Sequence, residues 1–247
     1  MFGTYIPPKG DAARQPLWAK ARAYIVRRLS EGVWRPGEML PSEKDLAAEL
    51  GVSLGTVRRA VDSLEKSGIV NRVQGKGTFV RSFERTYTNP TQRFFWDRTD
   101  AIVPFAMRTV LYETVPVTAA ETPARILGLG YGEKLIHALR VYAWEGRDQG
   151  ISELWLGAKR FEKMTEENLS NHTGSLYSYY EQMLGVAIVS VKDRIKAKVF
   201  DAHLASLGNF CIGEPYLELT RVGYTYGGVP VEYRLSYCRS AEFHMEM

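Results

Sequence analysis

From Leu17 to Ser30 the apolar residues Leu17, Ala21, Tyr24, Ile25 and Leu29 recur at three- and four-residue spacing, which predicts a helix with one buried stripe. Gly32 ends it, and Arg35-Pro36-Gly37 makes a turn. Ser42 stands where an N-cap belongs, with Asp45 three residues later in the capping-box position. A short helix is therefore expected to run to Leu50, with Leu46, Ala47 and Leu50 facing inward. Gly51 supplies a tight turn, and Ser53 caps a third helix running to about Ser67. Its buried face is Val57, Ala60, Val61 and Leu64. After Gly68 the period drops to two, so Ile69–Val73 and Thr78–Arg81 are expected to pair across Gln74-Gly75-Lys76-Gly77.

Residues 82–102 show no regular period, although Phe94-Phe95-Trp96 is expected to dock on the domain that follows. Beyond them strands and helices mix. Strands are predicted over Met107–Val117, Lys134–Trp144, Ile151–Gly157, Val186–Val199, Tyr216–Tyr226 and Val229–Cys238. Glu145 to Gly150 reads as one hairpin loop and Gly227-Gly228 as another. Helices are expected at Thr122–Leu127, with Thr122 as cap and Pro123 at the first helical position, and at Phe161–Leu169, Ser175–Met183 and Asp201–Leu207. Without strict strand-helix-strand alternation, this order argues for an antiparallel sheet with helices on one side, an α+β fold. The chain thus divides into a head at 1–81, a linker at 82–93 and a larger domain at 94–247.

Composition sharpens that division. Apolar residues make up 45% of the 247 and charged residues 24%, ordinary globular values that exclude wholesale disorder. No apolar run reaches the ~18–20 residues that span a bilayer, so no membrane partner is expected. Met1–Gly10 lacks the apolar core of a signal peptide, and two cysteines, Cys211 and Cys238, make no disulfide framework. A cytoplasmic protein with free thiols is expected. Through Arg85 there are 15 Lys and Arg against 9 Asp and Glu, whereas the remainder carries 17 against 19. The basic head is the part that an anionic polymer would hold.

Two short helices joined by a glycine turn form a helix-turn-helix. The second opens on the small residues Ser53, Gly55 and Thr56, followed by Arg58-Arg59. Short side chains, free backbone N–H groups and nearby cations suit the close approach of a recognition helix to base edges and phosphates. The glycine-rich hairpin carrying Lys76 can lie in the neighbouring groove as a wing. Pro41-Ser42-Glu43-Lys44-Asp45-Leu46-Ala47, Gly51 to Ala60, Gly68-Ile69-Val70 and Gly75-Lys76-Gly77-Thr78-Phe79-Val80 together resemble the winged helix-turn-helix of GntR-type bacterial regulators. The resemblance covers about residues 16–81. It implies double-stranded operator DNA as partner and contacts from Lys44, Ser53, Gly55, Thr56, Arg58, Gln74, Gly75, Lys76 and Thr78, with Arg59 beside them. Leu54 departs from the family, which usually has an Arg there to read a guanine edge. Such a pair contributes ~1–3 kcal/mol of discrimination, so the operator is expected to differ from the usual core.

The order of elements in the larger domain, ending on Gly228-Val229-Pro230-Val231-Glu232-Tyr233, resembles the UTRA effector domain of the HutC subfamily over about residues 94–244. This implies a chorismate-lyase-like fold that binds a small-molecule effector and dimerises, giving a homodimer on a near-palindromic operator. The effector residues it implies are Arg140, Glu153, Ser175 and Glu232, with Tyr142, Tyr177 and Arg234 as additions. Ser175 at a helix start and the forked Arg140 suit an anionic group, whereas Glu153 and Glu232 suit hydroxyls or an amine. Tyr142 and Cys238 replace an Arg and a Tyr of the sugar-phosphate-binding members, which favours a carboxylate or mixed polar metabolite. A repressor released by that metabolite is the reading that follows. One rival makes the larger domain a lyase-like enzyme, with Glu153 and Glu232 as its acid-base pair. Another is an architectural DNA-binding protein without an effector. His137, His172, His203 and His244 have no metal-ligand spacing, no Gly-x-Ser-x-Gly elbow is present, and no metal or cofactor is expected.

Overall fold

A computed structural model describes residues 15–81, 94–96, 101–102, 106–172, 175–240 and 243–245. The expected linker at 82–93 and the segment Met1–Gly10 lie outside the described residues. The chain forms two compact units, residues 1–83 with 225–229 and residues 84–224 with 230–247.

The first unit opens with α1 (Leu17–Ser30), α2 (Glu43–Leu50) and α3 (Leu54–Lys66). Local chemistry sets their ends. The Ser42 hydroxyl accepts from the Asp45 N–H at 3.1 Å, Gly51 closes α2 in the left-handed region at φ 63°, and the Ser53 hydroxyl accepts from the Thr56 N–H at 3.2 Å. Ile25 of α1, Leu46 of α2 and Val57, Ala60, Val61 and Leu64 of α3 form the core, each at most 1% exposed. The strands β1 (Val70–Val73) and β2 (Gly77–Val80) form an antiparallel hairpin, and Met39 bridges to Phe79 on its open side.

The second unit starts with β3 (Phe94–Trp96) and β4 (Ala101–Ile102), which pair with each other, followed by β5 (Ala106–Pro116), α4 (Glu121–Leu127), β6 (Lys134–Trp144) and β7 (Arg147–Gly157). Then come α5 (Glu166–Asn171), α6 (Leu176–Leu184), β8 (Ser190–Val199), α7 (Ala202–Ser206), β9 (Pro215–Thr225), β10 (Val229–Arg239) and β11 (Phe243–Met245). Six strands make one sheet in the order β5-β6-β7-β10-β9-β8, in which β5–β6, β6–β7, β7–β10 and β8–β9 pair antiparallel. The Phe94-Phe95-Trp96 segment docks as the middle strand of a small sheet between β11 and β4.

Helices cover both faces of the sheet, α6 on one and α4 and α7 on the other, where the sequence pattern predicts them on one side only. Three local expectations are also corrected. No side chain caps α4, which begins at Glu121, not after Thr122; Pro123 is tolerated because no N–H in a helix's first turn has an intrahelical partner. The loop after β6 is only Glu145-Gly146, both at positive φ, and Asp148 and Gln149 are buried strand residues. Asp148 looks like a turn residue in sequence, yet its carboxylate accepts from Arg108 and from the Asn209 N–H, each at 2.9 Å. Phe161 to Met164 is irregular, and the helix there is α5, capped by Thr165 in an extended conformation.

The central registers fix what each face of the sheet carries. Arg140, Ser152 and Ser236 stand opposite one another on β6, β7 and β10. The alternation of a strand then puts Tyr142, Arg234 and Glu232 on the same face, where α6 lies. His137, Trp155 and Tyr233 form a row on the other face, part of which is closed by Phe200, Ala205 and Phe210 against Val141, Ile151 and Tyr237. The edge strand β8 exposes Lys192, Lys196 and Lys198, residues that keep a free sheet edge from pairing with another chain.

Candidate functional site

The head exposes cations on α2, α3 and the hairpin tip. Lys44 and Gly55 are exposed near the starts of α2 and α3, and Arg58 and Arg59 follow on α3. Ser53 and Thr56 share a hydroxyl hydrogen bond of 2.8 Å in addition to the cap, so their side chains first serve the helix start. Arg58 Nε donates to Glu43 at 3.1 Å, and the Arg59 guanidinium lies 4.9 Å from the centre of the Trp18 ring. Gln74, Gly75 and Lys76 form the exposed hairpin tip, where Gly75 takes φ 74°. Thr78 is half-buried, and its carbonyl accepts from the Leu40 N–H. Leu54 is 44% exposed at the helix start, an apolar side chain where base edges would come. Cations, small residues and a free wing tip on one compact unit can hold a duplex.

In the second unit the α6 face of the sheet buries a polar cluster. Glu232 is fully buried and accepts from three donors: Tyr177 at 2.8 Å, Tyr180 at 2.9 Å and Arg234 Nη2 at 2.6 Å. Gly223 on β9 makes room for it, since a side chain there would begin 3.3 Å from Glu232 Cβ. Burial and the neighbouring carboxylate push both tyrosine hydroxyls far above their ordinary range. Burial alone would depress the Arg234 guanidinium, but Glu232 together with Tyr177, Tyr180 and Tyr142 outweighs it and raises it well above its ordinary value. Arg221, near Tyr177 and Arg234, forks onto Asp193 at 2.7 and 2.5 Å.

Arg140 is different. It is 1% exposed, its Nη2 reaches the His172 carbonyl only at 3.4 Å, and its Nε and Nη1 have no hydrogen-bond partner among the described residues. Burial depresses its guanidinium, and the nearby Arg234 adds to that. Three guanidiniums thus face two carboxylates, with the surplus charge on Arg140. A buried fork with unmatched donors is complementary to a carboxylate or phosphate. Tyr142, two residues on, is 8% exposed on the same face. Ser175 is the first residue before α6, and its hydroxyl does not cap that helix.

Glu153 does not join this cluster. It stands opposite Leu235 and therefore points to the other face, where its carboxylate accepts from Trp155 Nε1 at 3.0 Å and Tyr237 at 3.1 Å. With Trp155, Tyr233 and Leu235 it lines a separate cavity of about 360 Å³. The sheet lies between Glu153 and Glu232, so they cannot act as an acid-base pair on one substrate. The residues that sequence reasoning missed are Ser152 and Tyr180. Alternation from Arg140 across the hairpin marks the first, and the three-residue spacing from Tyr177 on one helix marks the second.

On the Glu153 face His137 is stacked on Trp155 at 3.8 Å. Its Nδ1 is 2.8 Å from Glu113, and its Nε2 lies 3.3 Å from Glu153, off the line of a hydrogen bond. Burial opposes its protonation, but Glu153 and then Glu113 outweigh it and raise the imidazole above its usual value. The same partner, with Tyr237 and Trp155, outweighs burial to hold Glu153 below the ordinary carboxylate range. The raised histidine stabilises fully below ~6.5 and loses that contribution as pH rises through its folded value. The lowered glutamate stabilises above ~4.3 and loses it as pH falls. The pair therefore stabilises most between about pH 4.5 and 6.5, and His137→Gln is expected to lower the melting temperature more at pH 5.5 than at pH 8.5. Melting curves of both proteins at the two pH values check this; an equal loss at both would contradict it.

Sequence comparison agrees with this two-part architecture. Residues 17–80 match the domain described as "Bacterial regulatory proteins, gntR family", and residues 105–244 match the UTRA domain. The chain belongs to the GntR family of transcription regulators and carries a UTRA domain, the effector-binding module found beside this kind of DNA-binding head. It is 29% identical to the HTH-type transcriptional regulator SmoD of Agrobacterium fabrum over 73% of each chain. It is 26% identical to the mannosyl-D-glycerate transport/metabolism system repressor MngR of Escherichia coli, over 89% of this chain and 90% of that one. Among solved structures, the ligand-binding domain of a GntR-family regulator from Bordetella bronchiseptica superposes with a TM-score of 0.60 at 25% identity, covering 65% of this chain and 98% of that one. Among the described residues no helix is long and apolar enough to cross a membrane.

Proposed function

We propose that the chain is a repressor that grips a near-palindromic operator as a homodimer and releases it when a small anionic metabolite enters the buried cluster on the α6 face. In this reading Lys44, Ser53, Gly55, Thr56, Arg58, Arg59, Gln74, Gly75, Lys76 and Thr78 meet the duplex. Arg140, Tyr142, Ser175, Tyr177, Glu232 and Arg234 surround the effector, and the domain binds it without transforming it. The observation that carries the effector reading is Arg140, a buried guanidinium with two of its nitrogens, Nε and Nη1, unpartnered among the described residues. Its fork takes the anionic group, and the Glu232 carboxylate with its tyrosines offers acceptors for hydroxyls or an amine. A ligand shifts the protein between DNA-binding and released states only by its difference in affinity for the two.

The test uses a labelled duplex selected by the protein from random sequence. Arg58→Ala and Lys76→Ala are each expected to weaken binding about fivefold and to lower the slope of log affinity on log salt by roughly one, the signature of a lost phosphate contact. Binding unchanged in both variants would move the DNA surface elsewhere. A screen of carboxylates and phosphate esters should then find one that weakens the complex and is recovered chemically unaltered. Turnover of that compound would favour the enzyme reading instead.

A further inference from the structure

We propose that Arg72 is a positioning residue for DNA binding: it pins the wing to α2 and α3 through Glu43, Asp62 and Glu65 and so places Lys76 against the phosphates, without touching DNA itself. The proposal rests on the reading that α3 and the wing tip meet the duplex.

The hairpin β1–β2 has only four residues in each strand, too little for a two-stranded ribbon to hold its own place. Backbone bonds from Glu38 and Leu40 hold β2 on its open side, and Arg72 supplies the side-chain attachment of β1 to α2 and α3. Its guanidinium donates through Nη1 to Asp62 at 2.5 Å and to Glu65 at 3.0 Å, and through Nη2 to Glu43 at 2.8 Å. Its backbone N–H adds a bond to the other oxygen of Glu65 at 3.1 Å. One planar fork thus ties β1 to the start of α2 and to the second half of α3, a geometry that a lysine's point charge does not reproduce. Glu43 works twice, since its second oxygen accepts from Arg58 Nε at 3.1 Å. The same carboxylate therefore sets the recognition-helix arginine and, through Arg72, the wing.

Charge makes the case sharper. Asp62 lies on the same helix as Arg58 and Arg59, and its side chain is 44% exposed. A carboxylate on a helix that approaches phosphates repels them. Its place here is accounted for by what it holds, which is Arg72.

Asp62→Asn separates the two effects because they have opposite signs. Removing a negative charge would by itself tighten binding; loosening the clamp weakens it. Anisotropy titrations of the full chain on the selected duplex are expected to show Asp62→Asn binding about fivefold more weakly. Its salt slope should fall by roughly one although no cation has been removed, because Lys76 no longer reaches its phosphate. Arg72→Lys should behave like Arg72→Gln, and adding Lys76→Ala to Arg72→Gln should cost less than about twofold more, since the clamp and the lysine act as one unit. Thermal unfolding of Asp62→Asn identifies any variant that is simply unfolded. Affinity equal to or tighter than wild type in folded Asp62→Asn, wild-type binding by Arg72→Lys, or additive losses in the double variant would overturn the proposal. If Lys76→Ala alone leaves affinity and slope unchanged, the wing reading itself fails and takes this inference with it; a weakened Lys76→Ala beside a tight Asp62→Asn defeats the clamp alone.

Discussion

Glu232→Ala is expected to cost about 3–5 kcal/mol of stability, the loss that follows when a buried ion pair keeps only one partner. Arg234 is 2% exposed, and among the described residues its ion pair is with Glu232, at 2.6 Å. Tyr177 and Tyr180, also buried, would lose the acceptor for their hydroxyls. For a domain of this size the loss corresponds to a fall in melting temperature on the order of 10 °C. Pairing it with Arg234→Met should recover much of that fall, because the stranded charge is then gone. Differential scanning calorimetry of the two variants decides the matter. A single variant melting within about 2 °C of wild type would show that the carboxylate is not the hub of this cluster.

Arg140→Met is expected to do the reverse. Replacing a buried, poorly partnered guanidinium with an apolar side chain of similar length should stabilise the ligand-free protein by about 1–4 kcal/mol. The same change should abolish the thermal shift produced by an anionic effector, since binding stabilises only a protein that can hold the ligand. A rise in melting temperature with loss of ligand response is therefore the combined expectation. A destabilised Arg140→Met would mean that the guanidinium is already satisfied. Two arginines on one face of the sheet, on β6 and β10 with β7 between them, thus give opposite signs because Arg234 has a carboxylate and Arg140 lacks one. Sites that store an unpaired charge commonly do so for a ligand.

How much of this was legible in the sequence depended on distance along the chain. The helix ends of the head are legible because their signals are local: the cap at Ser42 reaches Asp45, and the cap at Ser53 reaches Thr56. The parity of the long strands is legible too, but residue type points the other way. Glu153 looks like a ligand carboxylate, but Ser152 is the residue that shares a face with Arg140. Partners separated by 52 and 55 residues, as Tyr180 and Tyr177 are from Glu232, leave no local trace, so the hub of the cluster emerged only from the fold. Arg72 and Glu43, 29 residues apart, were hidden for the same reason. Asp148 misled because a buried aspartate and a turn aspartate look alike until the groups that donate to it are known.

The lysines of β8 carry a consequence for how concentrated solutions of the molecule behave. Two copies meeting along that margin would bring the exposed Lys192 and Lys196 of one near those of the other, whereas Lys198 is held by Glu218 at 2.5 Å. In dilute buffer this mutual repulsion outlasts any gain from joining ribbons. In molar salt its reach shrinks to about 3 Å, and the protection fades. Precipitation from strong brine would then begin along this rim, by one sheet growing into the next.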